Sequence, residues 1–196
     1  MRLTLLTAST QSILGITATK NYLKVEHTTD DTLINTLMTA AVSIVENYTG
    51  LVTHEQTWRQ DEEGDSDYLE LMKAPVKSIL EVKYYEDFDS TGSLLTESTD
   101  FRVAGQYLVH DDDYWDKQRG LDGYQIKYSV GMYTTDPRMS SMEIAALALT
   151  GFLYENREAY VVQVNETFSV VYDFSKTPAH IMQLLRPICE GRGVGF

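Results

Sequence analysis

The segment from Asp136 to Glu158, D-P-R-M-S-S-M-E-I-A-A-L-A-L-T-G-F-L-Y-E-N-R-E, constrains the fold most. Asp136 is placed to cap the first free amides, and Pro137 suits the first helical position, where its missing N–H is no loss. Ser140 and Glu143 offer a second capping box one turn later. From Ile144 to Tyr154 nearly every residue is apolar or small, Thr150 and Gly151 apart. A helix apolar on all sides is expected to be buried on all sides. At about 1.5 Å per residue it would extend about 33 Å, the width of a small domain. It reads as a central post for the rest of the chain, emerging at the polar cluster Glu155, Asn156, Arg157 and Glu158.

Other helices arrange themselves around it. Asp30 caps a helix over 31–49, in which Leu33, Leu37, Ala40, Ala41, Ile44, Val45 and Tyr48 recur at three- and four-residue spacing. Gly50 stops it as a left-handed C-cap, and Ala40 with Ala41 would let the central helix come close. Thr17 opens a short helix to Leu23, with Tyr22 and Leu23 facing inward. Thr177 and Pro178 open a last one that ends at Arg186, before Pro187.

From 51 to 133 the period changes to alternation. Thr53–Gln60, Tyr68–Met72, Ser78–Tyr85, Phe101–Val103 with Tyr107–Val109, and Tyr124–Val130 read as strands. Tyr160–Phe174 alternates too, as a hairpin turning near Asn165-Glu166. The fold class is therefore α+β, with a small helical core (helices near 31–49, 137–158 and 178–186) and a β-rich insertion at 51–133. Residues 1–16 are expected to form an extended arm and 17–186 one domain. Residues 187–196, with three glycines in the last six positions, are expected to be a flexible tail.

The chain carries few of the residue patterns that support catalysis or ligand binding. A formal net charge of −13 argues against wrapping a nucleic-acid backbone, which needs clustered Lys and Arg. A single cysteine, Cys189, excludes an internal disulfide and a cysteine-built zinc site. The N-terminus lacks the apolar core of a signal peptide, and no apolar run approaches the ~20 residues of a membrane span. Asp87-Phe88-Asp89-Ser90-Thr91-Gly92 begins like a calcium loop, but Ser98 stands at the twelfth position, so a hairpin turn is the better reading. Asp111, Asp112 and Asp113 lie in a polar connection, His110–Asp122, expected to be exposed; paired carboxylates there weigh less than a solvated acidic loop. The four histidines are scattered, and no phosphate loop, dinucleotide fingerprint or nucleophile elbow is present. No cofactor, metal or catalytic residue is expected.

Two features remain. Tyr154, Glu155, Arg157 and Glu158 set opposite charges at the end of an apolar helix, either as an ordinary salt-bridge cluster or as a contact between copies. Leu184-Leu185-Arg186-Pro187-Ile188 leads into a tail carrying Arg192 and Phe196, either a loose end or a peptide that orders on a partner.

With these features the chain resembles the head–tail connector, or adaptor, family of tailed bacteriophages. The resemblance rests on A-A-V-S-I-V-E-N-Y-T-G (40–50), L-M-K-A-P-V-K-S-I-L-E-V (71–82), I-K-Y-S-V-G (126–131), F-L-Y-E-N-R-E (152–158) and L-L-R-P (184–187), in that order. It implies a structural virion protein, not an enzyme, forming a ring of identical subunits under the dodecameric portal and joining head to tail. DNA would only pass through the lumen, and there is no membrane role. It further implies portal binding by Leu184, Leu185, Arg186, Pro187 and Ile188, extended to Arg192 and Phe196. The implied partners are the portal protein, a tail-side neck or tail-terminator protein, and further copies in a dodecameric ring, in the virion neck and, during assembly, the host cytoplasm. Alternatives are another ring-forming virion protein (head-closure or tail-terminator) or, less favoured, a hydrolase using Asp111 and Asp113.

Overall fold

A computed structural model describes residues 1–64, 66–85, 91–111, 115, 123–156, 161–164, 167–170 and 178–190. The chain divides into two compact units. One joins Met1–Thr10 to Gly50–Tyr133, and the other joins Gln11–Thr49 to Thr134–Phe196.

The first unit is built of strands. β1 (Arg2–Thr7), β2 (Gln56–Glu62), β4 (Val76–Tyr84), β5 (Ser93–Leu95) and β8 (Tyr124–Val130) form an antiparallel sheet in the order β1-β2-β8-β4-β5. β3 (Tyr68–Glu70), β6 (Phe101–Ala104) and β7 (Tyr107–His110) form a second sheet, ordered β3-β7-β6. Alternation along β8 puts Tyr124, Ile126 and Tyr128 into a core with Leu69, Leu71, Val82, Phe101 and Leu108. Trp115 stands in this core fully buried, edge-on to Tyr124 at 5.0 Å, with its indole N–H donating to the Leu108 carbonyl at 3.0 Å. The expected exposed connection therefore contributes a central core residue; a lone aromatic among charges carries no periodicity to reveal it. Residues 112–114, 116–122 and 86–90 lie outside the described set, so the carboxylates Asp112 and Asp113 and most of the calcium-like loop are not placed.

One further feature of this unit differs from the sequence reading. The first residues are not a separate arm: β1 is an outer strand, pairing Arg2 with Asp61 and Leu5 with Trp58. Gly131, at φ 148°, follows β8 where a Cβ would come within 2.8 Å of the Glu55 amide nitrogen, so only glycine fits.

The second unit is helical: α1 (Ile16–Leu23), α2 (Asp31–Thr49), α3 (Pro137–Glu155) and α4 (Ala179–Glu190). α2 and α3 pack on each other, and both bring small buried residues, Ala41 on one and Ala145 and Ala146 on the other. Ile34 and Met38 join the inner face of α2. Gly50, at φ 66°, follows α2 as its left-handed stop. Asp136 caps α3, accepting from the Arg138 amide at 2.9 Å, and the Arg138 guanidinium beside it holds its carboxyl below the usual range. A hairpin of β9 (Val161–Val164) and β10 (Thr167–Val170) pairs Val164 with Thr167, and β10 lies against α2.

α3 does act as a post, but for the helical unit only, because the strands carry their own core. Nor is it buried on every side: Ile144 is 56% exposed. Pro137, Ser140, Glu143 and Glu155 are exposed too, and α1, α2 and α4 pack on the remaining faces. α1 begins at Ile16 after Gly15, with no side-chain cap, and Tyr22 faces outward. No helix of the described residues is long and apolar enough to cross a membrane.

Candidate functional site

The helical unit carries both places that the sequence singles out. At the end of α3, the Tyr154 hydroxyl donates to Asp30 Oδ2 at 2.5 Å, just ahead of α2. Its polar tip is thus engaged within the unit, while Glu155, one residue on, is exposed. Arg157 and Glu158, the other expected interface residues, lie outside the described set.

Tyr154 and Glu155 line a groove of about 580 Å³. One wall is the end of α1 with Tyr22 and Leu23, another is α3 with Ala148, Gly151 and Phe152, and the third is the start of α4 with Pro178, His180 and Ile181. Gly151 keeps this wall shallow: a Cβ there would sit 3.0 Å from the Tyr22 ring. Ile144 continues the stripe of Ala148 and Phe152 one turn towards the N-terminus of α3. The result is an aromatic-lined concavity edged by one carboxylate, one lysine (Lys24) and one histidine. Its lining is mixed, polar and apolar in similar measure.

α4 sorts the second set of residues by face. Ile181, Leu185, Ile188 and Cys189 are buried, and α4 packs on α3 and α2. Leu184, at 40% exposure, and Arg186 and Pro187 face outward. Leu185 and Ile188, expected to bind a partner, thus belong to the unit's own core. Pro187 does not end the helix, which runs on to Glu190. An interior proline removes one backbone bond and crowds the preceding turn, at a cost of about 3 kcal/mol. Burial of Ile188 and Cys189 beyond it offsets that cost. The Cys189 thiol lies 3.9 Å from the Tyr48 carbonyl oxygen, not in a loose end. The spacing Ile181, Leu185, Ile188 signals this inner face in the sequence, but a proline read as a terminator hides it. Arg192 and Phe196 lie outside the described residues.

Among the described residues no group of three His, Cys, Asp or Glu could hold a metal ion. The shifted ionisations have structural causes. Burial pushes the Tyr128 hydroxyl up to about 12 and raises Glu62, while hydrogen bonds from Lys127 and Lys83 lower Glu81.

Comparison with known proteins gives one family and one fold. Residues 12–187 match the head completion protein family. Among solved structures, the chain is similar to one in the neck of the empty gene transfer agent particle, determined with C6 symmetry, at 15% identity and a TM-score of 0.68, covering 96% of this chain and 95% of that one. It is similar at the same identity and TM-score to a chain of the native gene transfer agent virion, covering 95% and 94%. A chain in the neck of the native particle, with C12 symmetry, gives a TM-score of 0.65 at 15% identity, covering 96% and 94%. No curated protein matches the sequence.

Proposed function

The chain belongs to the head completion protein family, and we propose that it is a structural protein of the virion neck, forming a ring of identical copies under the portal and joining head to tail. The carrying observation is the family match over 176 consecutive positions, residues 12–187, joined to a fold shared with neck proteins over nearly the full chain. The C6 and C12 symmetries belong to those particles; the twelvefold one supports a ring of twelve here.

Two surfaces divide the work. The groove at Tyr154 and Glu155, with exposed Ile144 above it, receives the neighbouring copy. Leu184, Arg186 and Pro187, on the open side of α4, lead the remaining C-terminal residues, including Arg192 and Phe196, onto the portal. The net charge of −13 disfavours adhesion of passing DNA. In this reading the role is mechanical rather than catalytic. A tail-side neck or tail-terminator protein meets the opposite face of the ring, and assembly takes place in the host cytoplasm.

Portal binding by a chain truncated after Glu190 tests this reading, because the cut leaves α4 and its buried residues in place. Binding should fall by at least about tenfold with the helical unit still folded; unchanged binding would remove the tail from the portal contact.

A further inference from the structure

The five-stranded sheet has one face on its core and one turned away from it. Register fixes what the outer face carries. Arg2, Asp61, Gln125 and Lys83 form one row across β1, β2, β8 and β4; Thr4, Arg59, Lys127 and Glu81 form the next. Asp61 is fully buried and shared between two cations: Arg2 Nε at 2.9 Å and Arg59 Nε at 3.3 Å. Glu81 is likewise shared, between Lys127 Nζ at 3.0 Å and Lys83 Nζ at 3.3 Å. Each carboxylate neutralises one of its two partners, so four cations over two anions leave a surplus of two positive charges on this face. That surplus sits in a chain of formal net charge −13. Beside it, Leu94, in register with Lys83, and Leu80, at the irregularity between Ile79 and Glu81, are 62% and 56% exposed.

The same unit carries the opposite sign elsewhere. Asp67, Glu97 and Asp111 are exposed around the end of the three-stranded sheet where Phe101 pairs with His110 and Tyr68 with Val109, and the one exposed cation beside them among the described residues, Arg102, leaves that end a net two negative charges. A surface and its complement on one subunit make a head-to-tail contact, the kind that closes into a ring.

We propose that the outer sheet face, through Arg2, Arg59, Lys83 and Lys127 with Leu80 and Leu94, docks on the acidic end of the three-stranded sheet of the next copy. This inference rests on the ring reading above. A second copy is favoured over duplex DNA because half of the positive charge is already neutralised in place, and a surplus of two is small against the several phosphates a DNA-binding surface engages. Exposed leucines also suit a protein partner rather than a phosphate backbone.

Zero-length carbodiimide cross-linking tests it, on rings assembled on purified portal from a mixture of ¹⁴N- and ¹⁵N-labelled full-length chains. Mixed-isotope peptides joining Lys83 or Lys127 to Asp67, Glu97 or Asp111 are expected. Rings that form but show these lysines linked only to Glu81 of their own chain would overturn the inference and leave the ring reading standing. Lysines protected by duplex DNA and not by assembly would overturn it in favour of a nucleic-acid surface. Wild-type chains that never ring on the portal would remove the ring reading itself, and this inference with it. In parallel, K83E/K127E should weaken self-association at least about tenfold, and mixing with D67K/D111K copies should restore it. Assembly unaffected by the reversal, or no rescue by the swapped pair, would count against the contact.

Discussion

The Tyr154 hydroxyl donates to Asp30 Oδ2 at 2.5 Å, tying the last turn of α3 to the residue before α2 across 124 positions of sequence. A hydrogen bond to a carboxylate is stronger than one between neutral groups. Tyr154→Phe should therefore lower the unfolding free energy of the helical unit by about 1.5–3 kcal/mol, measured by urea denaturation. Because the aromatic wall of the groove remains, ring formation on the portal should persist. Tyr154→Ala should impair both.

Gln60 is the hub of a buried network in the strand-built unit. Its carbonyl oxygen accepts from the Tyr128 hydroxyl and the Met72 amide, both at 3.0 Å, and its amide donates to Glu62 at 2.7 Å and to the Glu70 carbonyl at 2.6 Å. Gln60→Leu should cost about 3 kcal/mol or more, because it leaves several buried groups without a partner. Tyr128→Phe removes the bond to Gln60 and a longer one accepted from the Lys73 amide at 3.4 Å, and should cost about 1–2 kcal/mol. In the wild type, ultraviolet titration should show Tyr128 ionising only near pH 12 or with unfolding.

Glu62 supplies a pH dependence of known sign. Desolvation raises its pKa, against a smaller lowering by the Gln60 hydrogen bond. Between the ordinary carboxylate value and the raised one, the folded state binds more protons than the unfolded, so this group's contribution to stability falls as pH rises through that window. Glu62→Gln keeps an acceptor for Gln60 and removes the half-buried charge. It should raise the melting temperature slightly at pH 7, and the gain should vanish below the carboxylate range.

The two ends of α4 separate core from contact. Truncation after Glu190 should leave stability unchanged. Removal of 187–196 takes away Ile188 and Cys189, at 7% and 3% exposure, and should destabilise the helical unit by about 2–4 kcal/mol. Thermal melts of the two truncations distinguish the effects.

The elements with strong periodicity were legible in the sequence. α2, α3 and strands β2, β3, β4, β6, β7 and β8 stand within a few residues of where spacing and caps put them, since Asp136, Pro137 and Gly50 act locally, whereas β5 was not among the expected strands. What escaped depends on partners far along the chain. β1 becomes a strand because β2 offers it an edge, not because Arg2–Thr7 alternates cleanly. Trp115 is a core residue through Tyr124 and Leu108. The basic sheet face is invisible in the sequence, because Arg2, Arg59, Lys83 and Lys127 meet only through register. At the groove, Tyr154 and Glu155 could be singled out by their place at the end of an apolar helix, whereas Tyr22 and Gly151 needed the packed structure.

The most direct test of the structural role is electron cryomicroscopy of full-length chain mixed with purified portal. A closed ring of copies coaxial with the portal, each C-terminus running towards it, is the predicted image. Single copies scattered in solution, or a ring that caps a tail tube and leaves the portal bare, would contradict it.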